Sequence, residues 1–230
     1  MTYSREESWK IFDRISTSYD RINRILSFGM DRNWRRRTAA HLPQKKELSL
    51  IDLACGTGDQ IISCLEKNSH SCVGIDLSTE MLQIAKKKID NTPFKERVFL
   101  CHADATKLPF PAHTFDAATF AFGIRNVPSP INALKEIHRV LKPGGRSLIL
   151  EFSLPKQPWK SLHLFYLRHL LPHIGGALSK NKDAYRYLNE TIETFPYGPS
   201  FCRLMQEAAF HSVRSIPMAL GAVTLYIGDR

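Results

Sequence analysis

The sequence predicts an α/β domain on a seven-stranded, mostly parallel sheet, closed by an antiparallel C-terminal hairpin and preceded by a helical cap. Three observations carry this. From Leu48 to Phe152, short apolar strand runs alternate with amphipathic helical runs, the pattern of a doubly wound sheet. The first strand runs straight into a glycine-rich turn, Asp52-Leu53-Ala54-Cys55-Gly56-Thr57-Gly58-Asp59. Near the end, strand runs His211–Met218 and Ala222–Gly228 are separated only by Ala219-Leu220-Gly221, so they must pair antiparallel.

The 230 residues suffice for one well-buried core, so a single domain is expected. Residues 1–45 form the helical cap. Trp9, Phe12 and Ile15 share one helical face, as do Tyr19, Ile22, Asn23 and Leu26. Phe28-Gly29-Met30-Asp31 breaks the pattern, and Asp31 is placed to cap a third helix through Trp34 and Ala39. Residues 46–152 form the core. Strands are expected at Leu48–Leu53, Ser71–Asp76, Arg97–Cys101, Phe115–Phe122 and Arg146–Phe152. Helices are expected at Gly58–Lys67, Ser78–Ile89 with Ser78 as cap, and Pro130–Leu141, which stops at Lys142-Pro143-Gly144-Gly145. Residues 153–210 read as a helical insertion, with segments near 158–171, 183–194 and 199–209, and residues 211–230 form the terminal hairpin.

The formal net charge is +10. Residues 1–46 hold eleven Lys and Arg against five acids, and residues 155–188 hold six against Asp183 alone. Such a surface suits nucleic acid or anionic lipid headgroups, and composition does not choose between them. Five cysteines without a CxxC pair fit a reducing compartment better than a disulfide framework or a zinc site. The apolar runs are too short for a transmembrane helix, and the N-terminus has no apolar signal region.

The chemistry is expected at the carboxyl ends of the strands, where open α/β sheets bind ligands. Gly56 and Gly58 allow a tight turn and close ligand approach, and the following helix offers free amides. About twenty residues on, the second strand ends in Asp76, placed to accept from a ribose diol. This suits a dinucleotide or S-adenosylmethionine, but a third glycine is missing where Gln60-Ile61 stands, which disfavours the dinucleotide. The third strand ends in Asp104-Ala105, where the acid can take an adenine amino group and the small residue leaves room for the ring. After the fourth strand comes Phe122-Gly123-Ile124-Arg125-Asn126-Val127. Arginine stays charged and is seldom buried without a partner. Arg125 therefore either pairs with an Asp or Glu or faces a ligand. With Asp76 and Asp104 engaged by ribose and adenine, the ligand is the stronger expectation. No serine triad or metal spacing emerges, and His102, His138, His163, His169, His173 and His211 read as surface or packing residues.

The glycine loop, the two strand-end acids and the Leu-Lys-Pro-Gly-Gly turn together resemble the class I S-adenosylmethionine-dependent methyltransferases. The flanks narrow this. Phe12-Asp13-Arg14-Ile15 with Tyr19-Asp20, Leu26-Ser27-Phe28-Gly29, Trp34-Arg35-Arg36, Phe122 to Val127, Glu151-Phe152-Ser153 and Tyr185-Arg186-Tyr187-Leu188 resemble the ubiquinone/menaquinone biosynthesis C-methyltransferases almost end to end. The resemblance implies methyl transfer from S-adenosylmethionine to a ring carbon of a prenylated quinol. The cofactor would lie against Asp52, Gly56, Thr57, Gly58, Asp76, Leu77, Asp104, Ala105 and Ala121. Arg125 would stabilise the developing oxyanion, Asn126 would hold the second ring oxygen, and Tyr19 would hydrogen-bond the quinol from the cap. A methyltransferase acting on RNA or on another small molecule is the alternative, though no single-strand-binding stripe of aromatic and basic residues is present. Three departures stand out: Ala121 replaces a small hydroxyl residue, Asp31 and Tyr226 replace histidines, and Ala54 replaces a glycine. The segment Trp159–Leu171 is apolar on a broad face and carries cations, which suits an isoprenoid tail or a membrane interface. The expected location is therefore cytoplasmic, peripheral at the inner face of the membrane, with the oligomeric state open.

Overall fold

The computed structural model describes residues 5–67, 71–171 and 182–230. His173, named above, lies outside them. The sheet has seven strands in the order β3-β2-β1-β4-β5-β7-β6. These are β1 (Ser49–Leu53), β2 (Ser71–Asp76), β3 (Val98–His102), β4 (Phe115–Ala121), β5 (Leu141–Phe152), β6 (His211–Met218) and β7 (Val223–Asp229). β1 to β5 pair in parallel, and β7 runs antiparallel between β5 and β6. The order reverses at β1 and β4, so a crevice opens at their carboxyl ends.

The strands form where apolar runs can be buried on both faces. β1 and β4 are almost wholly buried, and separate apolar layers cover the two sides of the sheet. Between the strands lie α3 (Asp59–Lys67), α4 (Thr79–Asp90) and α5 (Pro130–Val140). Ser78 caps α4 by accepting from the Met81 N–H. The Lys142–Gly145 stretch does not simply end a helix. It belongs to β5, out of register with β4: Phe115 pairs with Leu141, and regular pairing resumes at Ala117 and Arg146.

The cap differs from expectation in two ways. The two apolar faces of residues 9–26 belong to one continuous helix, α1 (Ser8–Leu26). Asp31 does not cap α2 (Asp31–Ala39) but is its first residue, with its carboxylate held by Arg24 at 2.9 Å and Ser27 at 3.0 Å. An acid in the first turn still complements the helix dipole. Ile11, Ile15 and Ile22 of α1 pack in a third apolar cluster with Leu167, Leu171, Tyr187 and Ile192. Leu167 lies in the π-helical stretch Tyr166–Leu170 that continues α6 (Trp159–Phe165), Leu171 directly follows it, and Tyr187 and Ile192 lie on α7 (Lys182–Thr194); α8 (Pro199–Glu207) packs under the terminal strands. The cap and the insertion therefore form one roof over the carboxyl edge of the sheet.

Ionic and polar contacts join this roof to the core. Lys88 of α4 reaches Asp20 at 2.6 Å and Asp59 at 2.7 Å. The Thr57 hydroxyl donates to Asp20 at 2.6 Å, and that of Ser78 donates to Asp13. Asp13 and Asp20 thus fasten α1 above the glycine loop.

Candidate active site

β1 delivers its chain into the turn at Ala54–Gly58, where Ala54, Gly56 and Gly58 all have positive φ. Gly56, at φ 53°, meets nothing within 4 Å of a built Cβ, so its backbone faces open space. The Gly56 N–H donates to Asp76 at 2.8 Å, and the Ser78 N–H donates to the other Asp76 oxygen at 2.9 Å. Burial pushes the Asp76 pKa up, against these backbone donors. Asp104 accepts from the Thr106 N–H at 2.8 Å.

A cleft of about 250 Å³ lies over this edge. Gly56, Asp76, Leu77, Asp104, Ala105 and Ala121 line it, as expected, together with Tyr19 and Asn126. Trp9, Phe12 and Met81 also line it, none of which the sequence assigns to the cofactor site. Asp52 and Thr57 sit instead in a small side chamber with Tyr19, Arg35 and Gln60, bordered by Gly56 and Ala121. Gly58 lines neither space; its turn packs on Ala85 and Ile89 of α4.

The chamber gathers polar atoms that lack partners. The Asp52 carboxylate accepts from Thr119 at 2.6 Å, but its second oxygen has no partner; nor do Gln60 Oε1 and Arg35 Nε. Burial pushes the Asp52 pKa up to about 7, against the Thr119 hydrogen bond and the charge of Arg35. Buried polar atoms are normally satisfied, so this cluster marks a place for a polar, charged ligand group. An aminoacyl group with both an ammonium and a carboxylate fits a chamber holding an acid and a guanidinium. Together with two strand-end carboxylates for a ribose and an adenine, the residues fit S-adenosylmethionine.

Beyond the cleft lies a second cavity of about 330 Å³, lined mainly by apolar side chains from α1, the α1–α2 turn, α6, α7 and the terminal hairpin. Phe12, Tyr19, Phe122 and Asn126 line both spaces and form the wall between them. Phe122 holds φ 60°, an outlier for a bulky residue. Its ring lies 4.7 Å from that of Phe152 and 6.2 Å from that of Trp34, and the Arg35 guanidinium sits 5.3 Å from its centre. The next residue, Gly123, is forced: a Cβ there would come within 2.6 Å of Phe120 and 2.8 Å of Ala54.

Arg125 follows on a buried 3-10 turn, Ile124–Asn126, and lines the apolar cavity rather than the cleft. Of the two alternatives for Arg125, the weaker expectation, an acid partner, is present. Its Nη1 donates to Glu151 at 2.6 Å and to the Phe122 carbonyl at 2.7 Å. Glu151 sits in the apolar run of β5 and is fully buried. Arg125 Nε remains buried without a partner, as does Asn126 Oδ1. The Asn126 carbonyl accepts from Ser8 at 3.2 Å, which ties the turn to α1. Burial raises the Tyr19 pKa, against the charges of Arg35 and Arg125, so its phenol is a neutral donor near pH 7. His163, which reads in the sequence as a surface or packing residue, lines the cavity with Nε2 unpartnered, and burial lowers its pKa. Among the described residues, no group of three His, Cys, Asp or Glu side chains is placed to hold a metal ion, and no helix is long and apolar enough to cross a membrane.

The fold is shared with a solved S-adenosylmethionine-dependent methyltransferase from Thermotoga maritima, described as a possible histamine N-methyltransferase. It aligns with a TM-score of 0.68 at 20% identity over 96% of this chain and 99% of that one. Closer likenesses come from sequence. A ubiquinone/menaquinone biosynthesis C-methyltransferase UbiE from Syntrophotalea carbinolica is 44% identical over 98% of this chain and 94% of its own length. A demethylmenaquinone methyltransferase from Thermus thermophilus is 42% identical over 96% of this chain and 100% of its own length. The model of the ubiE/COQ5 methyltransferase family matches residues 1–230. With the cleft, the chamber and the apolar cavity already placed at the carboxyl edge of the sheet, the chain belongs to the ubiE/COQ5 methyltransferase family and is an S-adenosylmethionine-dependent C-methyltransferase of quinone biosynthesis.

Proposed function

We propose that this enzyme methylates a ring carbon of demethylmenaquinol, and that a polyprenyl benzoquinol is a second acceptor. The observation that carries the reading is the apolar cavity, which meets the cofactor cleft across Tyr19, Phe122 and Asn126 and contains one buried arginine in a mostly apolar wall. A hydroquinone ring with an isoprenoid tail has the matching chemistry: two polar oxygens on a flat apolar body. Asp76 holds the ribose, Asp104 the adenine amino group, and Asp52 with Arg35 the aminoacyl end of S-adenosylmethionine. When bound, that cofactor supplies an electrophilic methyl group.

The chain's own residues then prepare the ring. A quinol carbon becomes nucleophilic as a ring hydroxyl loses its proton. Tyr19 donates to that oxygen, and Arg125 opposes the growing negative charge, an effect strengthened where water is excluded. Arginine is too weak a base to take the proton itself, which leaves through water; the methylated ring carbon then gives up its own hydrogen as a proton to water and the ring oxygen regains one, restoring the aromatic quinol. Asn126 holds the second oxygen and with Phe122 fixes which carbon faces the cleft, since orientation is itself a large part of the rate.

The cavity mouth supports peripheral attachment to an anionic membrane at the cytoplasmic face. Phe28 is 80% exposed, Leu220 69%, Leu162 62% and Trp159 49%, and all four line the cavity. They come from three separate elements, and Lys156, Lys160 and Arg168 lie along the same insertion. A lipid surface covers such a rim and lets the tail enter without crossing water. The protein should sediment with anionic vesicles at low salt and be released as salt rises. Vesicle pellets free of protein at low salt would exclude this attachment.

The substrate reading is tested with labelled S-adenosylmethionine offered in parallel to demethylmenaquinol, a benzoquinol analogue and bulk RNA. Label should appear in the quinol extracts. Label in RNA alone would overturn the reading.

A further inference from the structure

Arg125 is gripped at both ends by one side chain. Glu151 takes the guanidinium Nη1 on one oxygen at 2.6 Å and the Arg125 main-chain N–H on the other at 3.3 Å. The first oxygen also accepts from the Phe152 N–H at 2.8 Å. A carboxylate is costly to bury unless its lone pairs are met, and here three donors meet them. Glu151 interrupts the apolar sequence Leu148-Ile149-Leu150 in a strand buried on both sides. An apolar residue would pack there without that cost. The acid therefore has a task other than filling the core.

Its geometry indicates the task. Nη1 is fully spent, on Glu151 and on the Phe122 carbonyl. The guanidinium carbon lies 5.1 Å from the centre of the Phe152 ring, which supports the group on one side. Nε keeps its hydrogen without a partner, in a residue that lines the apolar cavity. The carboxylate also offsets the charge of Arg125, so the resting pair presents a dipole rather than a full cation.

We propose that Glu151 is a positioning residue for methyl transfer. It aims the unspent edge of the Arg125 guanidinium at the substrate oxygen and sets how strongly that cation favours the ionised phenol. This rests on the reading that the cavity receives a quinol ring. Two consequences follow from removing its charge. Arg125 becomes an uncompensated buried cation, which lowers the pKa of a phenol bound beside it. It also loses its anchor, so turnover falls even when the phenol is ionised.

The test uses the full chain, with 1-naphthol as an optical probe of phenol ionisation and demethylmenaquinol as substrate. In Glu151→Gln, the amide oxygen replaces one carboxylate oxygen only, so it still accepts from the Phe152 N–H while the Arg125 main-chain N–H loses its acceptor. The pKa of bound naphthol should drop by about one unit or more, the acid limb of the kcat profile should move down with it, and plateau kcat should fall about tenfold or more. A folded Glu151→Gln protein that binds S-adenosylmethionine normally, with both the naphthol pKa and the acid limb unmoved or raised, overturns the proposal. Should that variant fail to fold, Glu151→Asp decides. It keeps the charge but retracts it, so the naphthol pKa should hold while kcat falls about tenfold; kcat within about twofold of the parent overturns the proposal. A parent enzyme that methylates no quinol, yet whose bound naphthol responds to Glu151→Gln, refutes the quinol reading and leaves the role of Glu151 intact.

Discussion

At the amino end of β4, Asp116 is closed in by Lys45 at 2.7 Å, the Ser49 N–H at 3.0 Å and Lys142 at 3.0 Å. At the carboxyl end of the neighbouring β1, Asp52 has one partner, Thr119, and one oxygen with none. Burial acts on both carboxyls and would raise both. Around Asp116 the lysines and the Ser49 N–H outweigh burial, holding its pKa at about 2, whereas at Asp52 burial wins and the pKa reaches about 7. Among the described residues, Asp116 at one end has both oxygens engaged within the chain, while the other end keeps Asp52 Oδ2, Gln60 Oε1, Arg35 Nε, Arg125 Nε and Asn126 Oδ1 without partners. Unpaired buried polar atoms are costly. Their concentration at one edge is the physical signature of a site completed by ligands.

The largest break in this contrast is expected at Arg125. Arg125→Lys keeps a cation but not the fork that reaches Glu151, Phe122 and the cavity together. Methyl transfer should fall by about 10² to 10³-fold, with S-adenosylmethionine binding within about twofold of the parent. Arg125→Ala should do at least as much, but it also strands Glu151 and destabilises the fold by about 3–5 kcal/mol. The lysine variant therefore isolates the chemistry. Near-parental turnover in either variant would remove Arg125 from the oxyanion role.

Next comes Asp76, which holds the glycine loop as well as facing the cleft. Asp76→Ala should weaken S-adenosylmethionine binding by calorimetry about tenfold or more, equivalent to about 1.4 kcal/mol. At the closed end, Asp116→Asn should leave binding and turnover at 25 °C nearly unchanged but cost about 1–3 kcal/mol of stability in urea unfolding. Because the folded pKa of Asp116 is depressed, its contribution is present above the ordinary carboxylate range and is lost as pH falls toward about 2. An Asp116→Asn enzyme that lost activity while keeping its stability would erase the distinction between the two ends.

Much of this was legible in the sequence because local patterns encode it. The strand and helix alternation, the Ser78 cap, the antiparallel hairpin and the acids at Asp76 and Asp104 all depend on residues close together in the chain. The partner of Arg125 did not, because Glu151 is 26 residues away and meets it only through the parallel pairing of β4 and β5. The available signal was a glutamate within the apolar run Leu148–Phe152 of β5. Nor did the chamber: Arg35 of α2 and Gln60 of α3 converge only when the cap closes on the glycine loop. His163 reads as one polar position in a cationic amphipathic helix, and only the roof formed by α1, α6 and α7 turns it into cavity lining.

The smallest expected readout, a fraction of a proton, is the most direct measure of the open end. With a folded pKa near 7 against an ordinary carboxylate value when unfolded, Asp52 holds a proton in the native state that the unfolded chain releases. Native stability contributed by this group is therefore present at acid pH and is lost as pH rises through the folded pKa. Between pH 5 and 7 the decline should be about 2 kcal/mol, and Asp52→Asn should flatten it. S-adenosylmethionine brings positive charge to the adjoining cleft, which favours the ionised carboxylate. Binding near pH 6.5 should release a fraction of a proton, about half, measurable by calorimetry in buffers of different ionisation enthalpy. The closed end offers no such proton, because Asp116 is already ionised throughout that range. Equal proton release by the parent and by Asp52→Asn would show that the unpartnered oxygen of Asp52 is not where the cofactor's charge is read.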